Sequence, residues 1–435
     1  MGDRKSNRLW FFFLVYGILA LLFHAFWLKL GGGDDYYFMT CLDDTDFFRF
    51  LAERWNKWSS RILIEGVLVL VLQCPIFIWR ILDILVSVLI AILSSVFIFH
   101  RKEETTVPSV ILLLCFFVSY DFRELSSAGW MTTTINYWWT LGAALIAALP
   151  LCLTDIRGTY RASLYLFAIP AALFAINHEQ ICILFLCACI FLLAKGYILK
   201  RKRNWYVYFL LILSVLSSIS VLICPGNLVR KLSNIEYWFP GYVHFNLVQK
   251  ILLGWYSLLM TLYKDVNWTY FLFTAILFLA VLLQKRKAVQ IIIAGLPLFS
   301  NLGLLGITVL SGIRDVPLFH QILHVFDFDQ PIVYYQGFLP GKIRLLLLVY
   351  TLCCLCVVLS LFFLWGKTER FIDMLALLVI ASASKVSMGL SPTVWASSER
   401  TSIFLNFGFL FLGMFCAQDF LEDLPIGKGF PGNDK

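Results

Sequence analysis

Apolar runs long enough to cross a bilayer recur from about residue 9 to about residue 417, and no polar block long enough to fold separately divides them. A membrane-crossing helix needs about 20 apolar residues, and a shorter run still crosses where the bilayer thins or flanking side chains snorkel. That rule picks out twelve runs, at about 9–30, 76–99, 107–120, 137–153, 163–176, 180–198, 205–223, 268–284, 288–311, 343–365, 371–390 and 401–417. The composition agrees: 60% of the 435 residues are apolar and 14% charged, against about half and about a quarter in a soluble domain. The expected fold is an all-α polytopic membrane protein of about twelve transmembrane helices, forming a single membrane domain over residues 1–435.

Charge sets the expected topology. Arg4, Lys5 and Arg8 precede the first run, which exceeds a signal peptide's hydrophobic region and has no small-residue cleavage site after it. It reads as a retained anchor with a cytoplasmic N-terminus. Arg101-Lys102, Arg157 with Arg161, Lys200 to Arg203, Lys285 to Lys287, and Lys367 with Arg370 then all fall inside, and twelve crossings return the C-terminus there. The formal charge of +8 is thus explained by topology, and nucleic acid is not an expected partner. Two further apolar stretches, Ile62 to Pro75 and Leu247 to Tyr263, would break this parity as full crossings. Both read as interfacial or re-entrant helices on the outer side.

The long connections then lie outside: a first loop over 31–75 with an interfacial helix, a segment over 121–136, a loop over 224–263 with a second interfacial helix, a loop over 312–342, and 391–400. Loops on a rigid scaffold carry function, so the working face is expected outside the cytoplasm. The chain has no Gly-rich nucleotide loop and no internal repeat. Most of the twelve cysteines sit inside apolar runs as small core residues; Cys41 and Cys224 are the two that fall outside.

Gly31-Gly32-Gly33-Asp34-Asp35-Tyr36-Tyr37 directly follows the first run and brings two carboxylates to the bilayer surface. One is a candidate general base for an acceptor hydroxyl, with its neighbour orienting it or raising its pKa; an acidic turn in contact with water is the plainer reading. Arg61 follows Trp55 and Trp58 at headgroup level, and Pro225-Gly226-Asn227 leads into Arg230 and Lys231. These cations suit a phosphate or are simply basic flanks. Asn136-Tyr137-Trp138-Trp139 and Asn177-His178-Glu179-Gln180 supply amides, aromatic faces and a carboxylate, the components of a sugar site, or of an aromatic belt and a polar turn. Glu65, Arg80 and Asp83, in or beside apolar runs, are expected to pair internally. His320 and His324, with Asp327 and Asp329 nearby, make a conceivable metal pair without a third ligand fixed by spacing.

In order, these motifs resemble the bacterial GT-C superfamily of polytopic glycosyltransferases, the type that modifies O-antigen and cell-surface polysaccharide using polyprenyl-phosphate sugars. Gly33-Asp34-Asp35-Tyr36 resembles the acidic motif of that group's first outer loop. Trp58-Ser59-Ser60-Arg61 is similar to its Trp-x-Gly-Arg, with Ser60 in place of glycine. Asn136-Tyr137-Trp138-Trp139, His178-Glu179-Gln180, Pro225-Gly226-Asn227-x-x-Arg230, Ser391-Pro392 and Arg400-Thr401 resemble later landmarks.

The resemblance implies a GT-C-like fold in the bacterial cytoplasmic membrane and transfer of one sugar from a polyprenyl-phosphate donor to a hydroxyl of a surface glycan. Inversion at the anomeric carbon is expected, with Asp34 or Asp35 as base. Arg61, Arg230, Lys231 and Arg400 would hold the donor phosphate. Tyr36, Asn136, Tyr137, Trp139, His178, Glu179, Gln180 and Asn227 would line the sugar and acceptor sites. No cofactor is required, although Asp34 or Asp35 could hold a divalent cation, and a donor synthase and a flippase are candidate partners. A transporter or flippase for lipid-linked glycan, and a polysaccharide polymerase, are the rival readings.

Overall fold

The structure is a computed structural model that describes residues 2–30, 32–99, 122–157, 162–201, 204–263, 267–284, 286–313, 341–397 and 399–423. Every regular element among the described residues is helical, apart from one isolated bridge between Ser127 and Gly129. Nine of these helices are long and apolar enough to cross a membrane, or ten if the bent pair Leu247–Tyr263 and Trp268–Leu283 forms one span. The protein is therefore a multi-pass, all-helical membrane chain. Nine of the twelve expected runs fall on these nine helices. The run at 163–176 lies on a 15-residue helix, the run at 268–284 forms one arm of the bent pair, and the run at 107–120 lies outside the described residues.

The chain divides into two compact units, Met1–Ser233 with Ser398–Phe404, and Asn234–Ser397 with Leu405–Lys435. In the first, α1 (Gly2–Leu22) continues into a π-helical turn at Phe23–Trp27 and packs on α5 (Ile76–Phe99). Between them the loop read over 31–75 folds into α2 (Asp34–Thr40), α3 (Phe47–Lys57) and α4 (Ile62–Leu72), of which only α4 falls on a stretch expected to be helical. Asp46 caps α3 by accepting from the Arg49 N–H at 3.0 Å. Phe47, Phe50 and Leu51 recur on one face of α3 at three- and four-residue spacing. An 11-residue helix is marginal in isolation; α3 is held because Phe50 buries in a core with Phe38, Ile64, Leu68, Leu72, Trp79 and Met131.

The ionisable groups in the apolar layer mostly pair, as their desolvation requires. Asp83 meets His24 Nε2 at 3.1 Å and accepts from Trp139 Nε1 at 2.7 Å. Glu65 receives both Nε (2.5 Å) and Nη2 (3.0 Å) of Arg54, whose guanidinium also lies over the rings of Tyr37, Phe38, Phe50 and Trp58. The buried Nε of Arg80 finds no acceptor among the described residues.

Beyond α5, α6 (Trp130–Thr133), a π-helical stretch at Thr134–Trp139 and α7 (Thr140–Arg157) run without a break. They precede α8 (Ala162–Ile176), α9 (Glu179–Ile198), α10 (Trp205–Ile223) and α11 (Pro225–Trp238). The α7–α8 and α9–α10 pairs pack as hairpins. In the second unit, Tyr256, Tyr263, Tyr270, Phe273, Tyr350, Leu361 and Phe409 belong to one core. The Tyr263 and Tyr270 hydroxyls bond at 2.7 Å, and the Asn267 amide donates to Asn406 Oδ1 at 2.8 Å. Such bonds satisfy polar atoms where water is scarce.

Candidate functional site

The tandem acids take different roles. Asp35 is fully buried. Its Oδ1 accepts from the Thr132 N–H and the Thr132 hydroxyl, both at 2.8 Å, and its Oδ2 accepts from the Met131 N–H at 3.2 Å. A helix start leaves N–H groups without partners, and Gly129, at the cap position of α6, has no side chain to offer. Asp35 therefore caps α6 from 96 residues away. Burial pushes its pKa above the ordinary carboxylate value, outweighing the bonds from Thr132 and Met131. A raised pKa suits a base, but a base must first reach its proton, and both Asp35 oxygens are enclosed and occupied. Asp34 is anchored through its backbone, with its N–H donating to the Ala128 carbonyl at 2.9 Å. Its side chain is exposed and makes no hydrogen bond or ion pair among the described residues. Of the two acids, Asp34 is the one whose carboxylate is available.

Gly129 has φ +98°, and a Cβ there would collide with the Asp35 carboxylate. Gly129→Ala is expected to lower the midpoint of thermal unfolding sharply or to prevent accumulation of folded protein. An unchanged melting curve in detergent would refute the cap.

About one helical turn further along, four segments distant in sequence meet. Arg61 Nε donates to Glu179 Oε2 at 2.5 Å, and Arg61 Nη1 to Asn136 Oδ1 at 3.4 Å. Arg230 Nη2 reaches Glu179 Oε1 at 3.5 Å and Asn227 Oδ1 at 3.2 Å. Asn136, which receives Arg61, lies four residues after Thr132, to which its amide donates back at 2.9 Å. The acid turn and Arg61 are thus fastened to neighbouring turns of one helix.

The supports of this cluster are amides. Asn227 Nδ2 donates to Ser60 Oγ at 2.9 Å while its Oδ1 accepts from the Ser60 N–H at 3.3 Å. Asn177 Oδ1 accepts from the Leu63 and Ile64 N–H groups at 3.0 and 3.3 Å, capping α4 from another segment, and its Nδ2 donates to the Ser60 carbonyl at 3.2 Å. Ser60, which stands where glycine is expected, is thus bonded by both amides. Close approach is relieved instead at Gly226, where a Cβ would strike the backbone of Trp55 and Trp58. Cys224 is free and bonds the Trp55 carbonyl; Cys41 is also free.

Electrostatics follow from this packing. Burial disfavours the Arg61 charge, but Glu179, Tyr137 and Glu65 together outweigh it and the guanidinium pKa rises. Burial, with Arg61 and Arg230 nearby, drives His178 well below the usual imidazole range, so it is neutral. Its Nδ1 accepts from the Gln180 N–H at 3.3 Å, leaving a buried Nε2 without a partner among the described residues.

The remaining candidate residues spread around this cluster. The Tyr137 ring packs edge-on to His178 at 4.9 Å and stacks on Phe404 at 6.2 Å. Gln180 Nε2 donates to the Thr401 carbonyl at 3.0 Å. Arg400 Nη1 donates to Ser127 Oγ at 3.1 Å, next to the Ala128 carbonyl that anchors Asp34. Tyr36 is 71% exposed, Lys231 is exposed, and Trp139 is bonded to Asp83. Ser391-Pro392 belongs to the second unit. His320, His324, Asp327 and Asp329, and most of the loop over 312–342, lie outside the described residues. Among the described residues, no three His, Cys, Asp or Glu side chains gather as a metal site. Comparison of the chain with protein-family models, with characterised proteins and with solved structures finds no match.

Proposed function

We propose that this chain is a membrane glycosyltransferase of the GT-C type, working on the outer face of a bacterial cytoplasmic membrane with both termini inside. It moves one sugar from a polyprenyl-phosphate donor to a hydroxyl of a surface glycan. One observation carries the reading: Asp34 with its exposed carboxylate, the Arg61–Glu179–Arg230 cluster and Arg400 are gathered in one unit from segments that span most of the chain. Those are the groups a single displacement needs, namely an accessible base and cations for a departing phosphate.

In the proposed step Asp34 takes the proton of the acceptor hydroxyl as that oxygen bonds to the anomeric carbon. The bond from that carbon to the phosphate oxygen breaks with its electron pair, and the lipid phosphate leaves as an anion facing Arg61 and Arg230. Attack opposite the leaving group inverts the anomeric configuration. Tyr36, Tyr137, His178 and Gln180 are the proposed walls of the sugar and acceptor sites. The test is reconstitution of the full chain in proteoliposomes with one sugar carried on polyprenyl phosphate or on polyprenyl diphosphate, followed by mass spectrometry of the acceptor glycan. A gain of one sugar from the monophosphate donor alone is expected. Repeated extension from the diphosphate donor points to a polymerase, and an unmodified glycan with donor moved across the bilayer points to a flippase.

A further inference from the structure

The Glu179 carboxylate sits where the proposed donor phosphate has to go. It bonds Arg61 at 2.5 Å and reaches Arg230 at 3.5 Å, an unequal bridge. Each guanidinium also has a neutral holder, Asn136 Oδ1 for Arg61 and Asn227 Oδ1 for Arg230. Those amides are fixed in turn by Thr132, Ser60 and the Val221 carbonyl. Neither arginine therefore depends on Glu179 alone for its position. Glu65, the other acid close to Arg61, is taken by Arg54.

The cluster holds two guanidinium charges against one carboxylate, and arginine carries five N–H donors in a fixed fork, most of which have no acceptor among the described residues. His178 Nε2, wholly buried beside the cluster, adds a donor without an acceptor. The arrangement is short of one anion. The Glu179 side chain is 23% exposed, so the protein does not enclose it completely.

We propose that Glu179 is an internal stand-in for the anionic ligand: it bridges Arg61 and Arg230 in the ligand-free protein and is displaced when a phosphate group binds between them. The lipid source of that phosphate rests on the function proposed above; the displacement itself does not. Glu179 then acts as a positioning residue that raises the threshold for anion entry, so that only a phosphate able to engage both arginines replaces it. Removal of one cation and removal of the carboxylate should act in opposite directions on binding.

The experiment uses the full chain in nanodiscs of zwitterionic lipid, titrated with a short-chain prenyl phosphate, the matching prenyl alcohol and inorganic phosphate. Arg230→Gln is expected to weaken binding of both phosphates by about tenfold, and Glu179→Gln to tighten it by about tenfold. The double variant should return near wild type, because its charge balance does. Alcohol binding should not change in any of them. Weaker phosphate binding by Glu179→Gln, with the double variant worse than either single one, would make Glu179 a structural clamp and overturn the proposal. Glu179→Asp, whose shorter arm cannot span both arginines, is a second route to the same tightening if the glutamine variant does not fold. If inorganic phosphate follows the series while prenyl phosphate binds no better than it does, the displacement stands and the lipid-donor reading falls.

Discussion

Asp34→Asn is expected to lower the rate of sugar transfer by about 10²–10⁴, the usual contribution of a positioned general base, while leaving the thermal unfolding midpoint of the purified protein unchanged. The side chain is exposed and bonds nothing among the described residues, and the residue is anchored through its backbone N–H to Ala128. Asparagine keeps that anchor and the size of the side chain but cannot take a proton. Loss should appear in kcat with little change in the donor KM, since the proposed role is in the displacement and not in binding. Transfer at the wild-type rate would remove Asp34 from the chemistry.

Asp35→Ala is expected to fail earlier, at folding. It would strand the Met131 and Thr132 N–H groups and the Thr132 hydroxyl, all buried, at about 1–3 kcal/mol for each donor left without an acceptor. That sum is a large share of the stability of an ordinary domain, about 5–15 kcal/mol. Size-exclusion profiles and melting curves in detergent check it: Asp35→Ala should aggregate or melt far below wild type, whereas Asp34→Ala should do neither. Equal behaviour of the two alanine variants would refute the division of labour between adjacent carboxylates.

That division is also where sequence reading meets its limit. Hydropathy is nearly additive along a chain, so most of the spans could be read directly, and the internal pairing of Glu65 and Asp83 followed from the cost of isolated charge in lipid. The capping of α6 by Asp35 and of α4 by Asn177 was not legible, because each partner lies about a hundred residues away. Adjacent aspartates look alike until the fold hands one of them a helix end.

The cluster behaves the same way. Arg61, Asn136, Glu179, Asn227 and Arg230 were each legible as polar groups at the ends of apolar runs, but nothing in their spacing says that one carboxylate bridges two arginines. Helix α3 was legible in principle, since Asp46 followed by Phe47, Phe50 and Leu51 is a capped amphipathic start. The surrounding acids Asp43 and Asp44 make the same stretch read as a solvated loop. Asn136 reads as the outer flank of a span, whereas the helix already begins at Trp130 and turns π-helical around it; such a local widening leaves no mark in composition.

The proposed reaction is a single displacement of a lipid phosphate by a glycan hydroxyl. Its most direct test is NMR of the linkage formed when the reconstituted chain is given a polyprenyl-phosphate sugar of known anomeric configuration and an acceptor glycan. Single displacement gives a new glycosidic bond of the opposite configuration, with one polyprenyl phosphate released for each bond formed. A bond of retained configuration would contradict the single displacement with Asp34 as base, and release of polyprenyl phosphate without any new bond would contradict transfer itself.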